Sequence, residues 1–144
     1  MTKIRFQLIL FPVLLFVFAC GPKHTSHKAY GKMTVADLIR EKGQPLKEES
    51  IPTENGKILN YPGDEKFQVK GDIVTNSFRQ PKADETTLLF WKNNFKECET
   101  TEKILKPADH EAAEKELACP SRGLSVLYTD GSDFVSRVIE YAPQ

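Results

Sequence analysis

The chain is 144 residues long, with 20 Lys and Arg balancing 20 Asp and Glu and 40% hydrophobic residues. A formal charge of zero lacks the global basic field that duplex nucleic acid attracts, which argues against that partner. The length fits one domain, and a chain of this size buries around two thirds of its unfolded surface, so it needs neither a metal nor a disulfide framework to fold.

Lys3 and Arg5 precede an unbroken apolar run from Leu8 to Ala19 that stops at Cys20. A basic start, a short apolar stretch and a small residue before a cut site describe a secretory signal. The run is shorter than the roughly 20 residues that span a bilayer, and Pro12 inside it disfavours a permanent membrane helix. Val17-Phe18-Ala19-Cys20 resembles the lipobox of bacterial lipoproteins, although Phe18 is bulkier than that pattern usually has. The resemblance implies removal of residues 1–19, a diacylglyceryl group on the Cys20 thiol and acylation of the new amine. Several acyl chains, at about 0.8 kcal/mol per buried methylene, hold a protein on a bilayer where one chain does not. Gly21 after the anchor, where the inner-membrane retention signal usually has Asp, implies the outer membrane facing the periplasm. The alternative is an ordinary cleaved signal that ends in Cys.

On this reading 125 of the 144 residues remain, with 18 basic against 20 acidic side chains. With Cys20 assigned to the anchor, Cys98 and Cys119 form an even pair in an oxidising compartment, and a disulfide is expected. Two free thiols or a catalytic cysteine is the alternative. Residues 20–32, beyond the lipidated Cys20, are polar and small, a tether that cannot pack a core.

Residues 33–144 form the single folded domain. Met33-Thr34-Val35-Ala36-Asp37-Leu38-Ile39 reads as a helix start, with Thr34 the cap and Asp37 its answering partner. Gly43 supplies the exit and Pro45 stops continuation. Lys57 to Tyr61, Lys66 to Val69 and Ile73 to Phe78 are expected strands, punctuated by turns at Pro62-Gly63-Asp64 and Lys70-Gly71-Asp72. Thr86 to Lys92, with its Leu-Leu-Phe-Trp run, reads as a further strand. Pro107 to Ala118 reads as a helix, and Gly123 to Tyr128 and Asp133 to Tyr141 as strands joined across Asp130-Gly131. The fold class is α+β: short helices on an antiparallel sheet, with residues 33–80 and 105–142 as two tandem helix-strand-strand units. Two alignments of the halves compete, one matching Tyr61 with Tyr128 and the other Gly71 with Gly131.

The segment Thr34 to Pro45, followed by Leu59-Asn60-Tyr61 and Val69-Lys70-Gly71-Asp72-Ile73-Val74, resembles the small lipoproteins of the BamE/SmpA/OmlA type. More loosely it is similar to tandem β-lactamase-inhibitor-protein-like domains. The second half departs from the pattern, having Ala118-Cys119-Pro120 where a Gly-x-Pro exit would stand. The resemblance implies a non-catalytic periplasmic module that docks other envelope proteins, with a periplasmic inhibitor-like binding protein as the alternative.

Signals for catalysis and metals are weak. His24 and His27 stand in the tether, and His110 shares a face with Glu114 without a third ligand at metal spacing. No Gly-x-Ser-x-Gly elbow or phosphate loop occurs, so no catalytic residue, metal or cofactor is expected, and an enzyme is the least favoured class. Core packing is the default for the aromatics. Trp91 and Phe95, beside the turn-like Lys92-Asn93-Asn94, are the candidates for exposed partner anchors. The expected partners are the bilayer through Cys20 and another envelope protein, met first by strand addition at a sheet edge.

Overall fold

Two threonines start the two α-helices among the described residues. In the computed structural model, which describes residues 30–52, 55–106 and 112–144, Thr34 caps α1 (Val35–Lys42) and Thr87 caps α2 (Leu88–Asn94). The Thr34 hydroxyl accepts from the Asp37 amide at 3.1 Å, while the Asp37 carboxylate accepts from the Thr34 amide at 3.2 Å, closing a capping box. Thr87 accepts only from the Phe90 amide, at 3.3 Å. Cys20, His24, His27 and His110 lie outside the described residues, as do the signal segment and the tether up to residue 29.

Each helix is followed by four strands. After α1 come β1 (Lys47–Ile51), β2 (Gly56–Tyr61), β3 (Glu65–Lys70) and β4 (Ile73–Arg79). After α2 come β5 (Thr101–Lys106), β6 (Glu114–Cys119), β7 (Leu124–Thr129) and β8 (Val135–Tyr141). All pair antiparallel into one eight-stranded sheet of order β1-β2-β3-β4-β8-β7-β6-β5. The halves therefore meet back to back at β4 and β8, and β1 and β5 are the two edges. A lone bridge ties each cap to the start of the last strand of its own half, Thr34 to Ile73 of β4 and Thr87 to Phe134 just before β8.

This overturns the α+β expectation of helices packed on a sheet in helix-strand-strand units. Among the described residues the sheet dominates, the α-helices are two short ones, and each half carries four strands. Thr86 to Lys92 is not a strand but the start of α2, because Leu88, Trp91 and Phe95 recur at helical spacing and point inward together. The helix expected over Pro107 to Ala118 is strand β6 from Glu114 onward, with residues 107–111 outside the described ones. Its Leu117, Ala118 and Cys119 are all buried, and the pairing with β5 and β7 outweighs the helical preference of Glu, Lys and Ala. The second helix-led half thus begins at residue 88 rather than 105. Its hairpin turn at Gly131 is the counterpart of Gly71, while Tyr61 and Tyr128 sit on strands that do not correspond.

Both helices lie on one face, each over its own core. Under α1, Leu38 packs with Leu59, Phe67, Val69 and Val74. Under α2, Trp91 and Phe95 pack with Leu117, Val126 and Val138. A polar seam separates the two cores. There Tyr30 donates to the buried Ser77 hydroxyl at 2.9 Å, and the Arg79 guanidinium forks onto Glu85 while its Nε donates to Glu140 at 3.0 Å. Burial pushes the Tyr30 phenol well above its ordinary value, so it stays a neutral donor.

Candidate functional site

Cys98 and Cys119 are joined as a disulfide with Cα atoms 5.6 Å apart. The bond ties the segment after α2 to the end of β6. Arg122 reinforces it by donating to the Asn94 carbonyl at 2.7 Å and lying over the Phe95 ring. This staple fixes α2 on the sheet.

Trp91 and Phe95, expected as exposed partner anchors, are core residues with 4% and 2% of their surface accessible. The Trp91 indole nitrogen donates to the Glu85 carbonyl at 2.7 Å, which satisfies its polar atom internally. They belong to the same helical stripe as Leu88, and the lysine and asparagines beside them occupy its solvent side. Neither side chain is available to a partner.

The exposed apolar groups lie elsewhere. Leu89, on the outer face of α2, is 68% exposed, and Phe134, just before β8, is 67% exposed. Phe134 pairs with Thr87 in the bridge and Leu89 follows Thr87 by two residues, beside a shallow hollow lined by Thr87, Leu88, Leu89, Lys92 and Asp133. Core packing, the default expected of the aromatics, does not hold for Phe134. The bridge instead leaves its ring outside.

The second exposed region is β5, Thr-Glu-Lys-Ile-Leu-Lys, which is exposed at every position. It pairs with β6 on one side, and no strand lies on its other side among the described residues. Ile104 is 64% exposed and Leu105 is also open to solvent. The register shifts between Ile104 and Lys106, where a bulge interrupts the ladder. Lys103 stands opposite Glu116 and Lys106 opposite Glu114, positions that share the helix-free face of the sheet. Ile104, opposite Lys115, points to the other face. The extra residue thus brings both lysines to one side although they are three positions apart. Among the described residues neither lysine has an ion pair. Glu102 is held by Lys115 at 3.5 Å, and Glu116 accepts from Ser125.

The opposite edge differs. In β1, Lys-Glu-Glu-Ser-Ile, Glu48 pairs with Lys57 and Glu49 with Lys47, and Ile51 is half-buried. Such an edge offers charge already neutralised, although Leu46, just before the strand, is 72% exposed.

No group of three or more His, Cys, Asp and Glu side chains converges at metal distance among the described residues. No helix among them is long and apolar enough to cross a membrane. The strongest acid-base cluster is Arg79, Glu85 and Glu140. Burial pushes the Glu85 carboxyl up, but hydrogen bonds from Arg79 and from the Lys82 amide outweigh it and leave the group below its ordinary value. A carboxylate held ionised by a forked arginine is a structural pair and not a proton donor.

No family model matches the chain, and comparisons with curated proteins and with solved structures also give no match.

Proposed function

We propose that the protein is a bacterial envelope lipoprotein, anchored through acylated Cys20, whose domain docks another envelope protein without catalysing a reaction. The anchoring half of this reading rests on the residues around Val17-Phe18-Ala19-Cys20 and on their likeness to the lipobox. Gly21 favours the outer membrane, with the domain in the periplasm. The likeness of Thr34 to Pro45, Leu59-Asn60-Tyr61 and Val69 to Val74 to small BamE/SmpA/OmlA-type lipoproteins supports a docking role, as an analogy of sequence motifs alone.

The observation that carries the docking half is the contrast between the two sheet edges. Both edge strands are exposed, but the charges of β1 are met by internal ion pairs, whereas β5 carries Lys103 and Lys106 with no ion pair among the described residues, beside the open Ile104 and Leu105. Open edges invite pairing, and a protein that neutralises one and leaves the other charged is selective about where a strand joins.

The test is photo-crosslinking in intact cells, with a photoreactive residue at Leu105 and, as control, at Lys47. A discrete adduct with one envelope protein from Leu105 and none from Lys47 is the expected result. Equal patterns from both positions, or none from Leu105 at native expression, contradict docking at this edge.

A further inference from the structure

The geometry points to an extended acidic segment of a partner protein as the occupant of β5, added to the sheet as a ninth strand. This rests on the docking reading above and specifies its partner class.

Three features of β5 choose that occupant. The first is the open backbone edge, which a helix or a globular surface cannot satisfy but an extended segment can, since alternate amides and carbonyls of an edge strand point outward. The second is charge. Lys103 and Lys106 share the helix-free face and lack ion pairs among the described residues, while Glu102 is taken by Lys115 and Glu116 by Ser125. Edge lysines repel a like strand and favour one with carboxylates opposite them. The third is the apolar residue on the other face, Ile104, which an alternating segment would meet with its own apolar side chains.

The same features disfavour a second copy of this chain. Two β5 strands paired about a two-fold axis keep helix faces with helix faces. The Lys103 and Lys106 side chains of both copies would then crowd onto one face of the joint, whereas Glu102, on the other face, is already paired. The bulge between Ile104 and Lys106 also bends the edge, leaving Thr101 to Ile104 as the straight run for backbone pairing, with Lys106 just beyond its end. Pairing over so short a run gives weak, reversible binding that sequence alternation must supplement.

The probe is an acetylated, amidated octapeptide of alternating Val and Glu, compared with a twin carrying N-methyl groups on alternate residues. The twin keeps the side chains and loses the hydrogen bonds of one edge. Binding to the full-length protein is read by amide chemical shifts and by anisotropy of a labelled peptide. The expected result is saturable binding with shifts at Thr101 to Lys106, weakened at least tenfold in the N-methylated twin and by the Lys103→Glu, Lys106→Glu double variant. Ile104→Glu should weaken it as well, and unchanged thermal unfolding of each variant would show the fold intact. Equal binding by both peptides with shifts on β5 would overturn strand addition and leave docking at this edge standing. Shifts centred on Leu89 and Phe134, or no binding of either peptide, would overturn the inference outright. Docking itself is then decided by the cross-linking at Leu105.

Discussion

Arg79 of β4 donates from Nε to Glu140 of β8 at 3.0 Å, across the junction where the strands of the two halves meet. The same guanidinium forks onto Glu85 in the connection leading to α2, so one cation ties both halves and the link between them. The two apolar cores do not merge across this line. Cohesion there depends on four residue pairs of the β4–β8 ladder, on this charged cluster and on the Arg137–Asp64 ion pair at 3.1 Å.

Replacing the cation should therefore loosen the seam. Arg79→Met leaves two half-buried carboxylates facing each other, and the expected loss is about 2 kcal/mol, within the range for hydrogen bonds to charged groups. Urea unfolding measures it. The parent should also show an acid limb from Glu85, whose folded pKa lies below the ordinary 4.5. Its contribution is complete above that value and is lost as pH falls through the folded pKa, so Arg79→Met should flatten the limb below about pH 4.5.

The disulfide closes a loop of sequence separation 21. In the chain-entropy account such a bridge contributes about 3 kcal/mol, so Cys98→Ala should lower the denaturant midpoint accordingly. Reducing agent should shift the parent to the same midpoint and leave the variant unmoved.

The two helix caps give a graded comparison. Thr34→Ala removes one half of a reciprocal box and should cost about 1 kcal/mol, whereas Thr87→Ala breaks a single longer bond and should cost less. Thermal unfolding of the two variants side by side checks the order.

Gly123 sits at φ +63°, where an added Cβ would come 2.2 Å from the Tyr141 carbonyl oxygen. That carbonyl belongs to the central strand β8 and cannot swing aside. Gly123→Ala should cost about 2 kcal/mol or more, well beyond conformational strain alone. Gly131 has φ +77° and open space around it, so Gly131→Ala should show only the left-handed penalty of about 1 kcal/mol. Calorimetry of both separates the contact from the dihedral.

Much of the first half was legible because its signals are local. Thr34, Asp37 and Gly43 mark α1 by hydrogen-bond and dihedral chemistry that needs no tertiary partner. The edges β1 and β5 were not legible, since neither buries a face and neither shows the alternation that announces a strand. In α2, Leu-Leu-Phe-Trp is too short a run to separate helix from strand, and the cap at Thr87 was the signal that decides it. Segment β6 has the composition of a helix and is held as a strand by its neighbours, a tertiary effect no single-segment reading captures. Trp91, Phe95 and Phe134 exchanged roles for the same reason: once α2 is a helix, its stripe turns Trp91 and Phe95 inward, and the bridge at Thr87 leaves Phe134 outside. The exposed lysines of β5 become a shared face only through a bulge, which the sequence does not mark.

The claim on which the rest depends is that Cys20 carries the protein to a membrane. Mass spectrometry of the amino-terminal peptide from protein purified out of the native envelope tests it most directly. The account predicts a chain that begins at Cys20, with a diacylglyceryl group on the thiol and an acyl group on the amine. An unmodified Cys20, whether terminal or still preceded by residues 1–19, would contradict it.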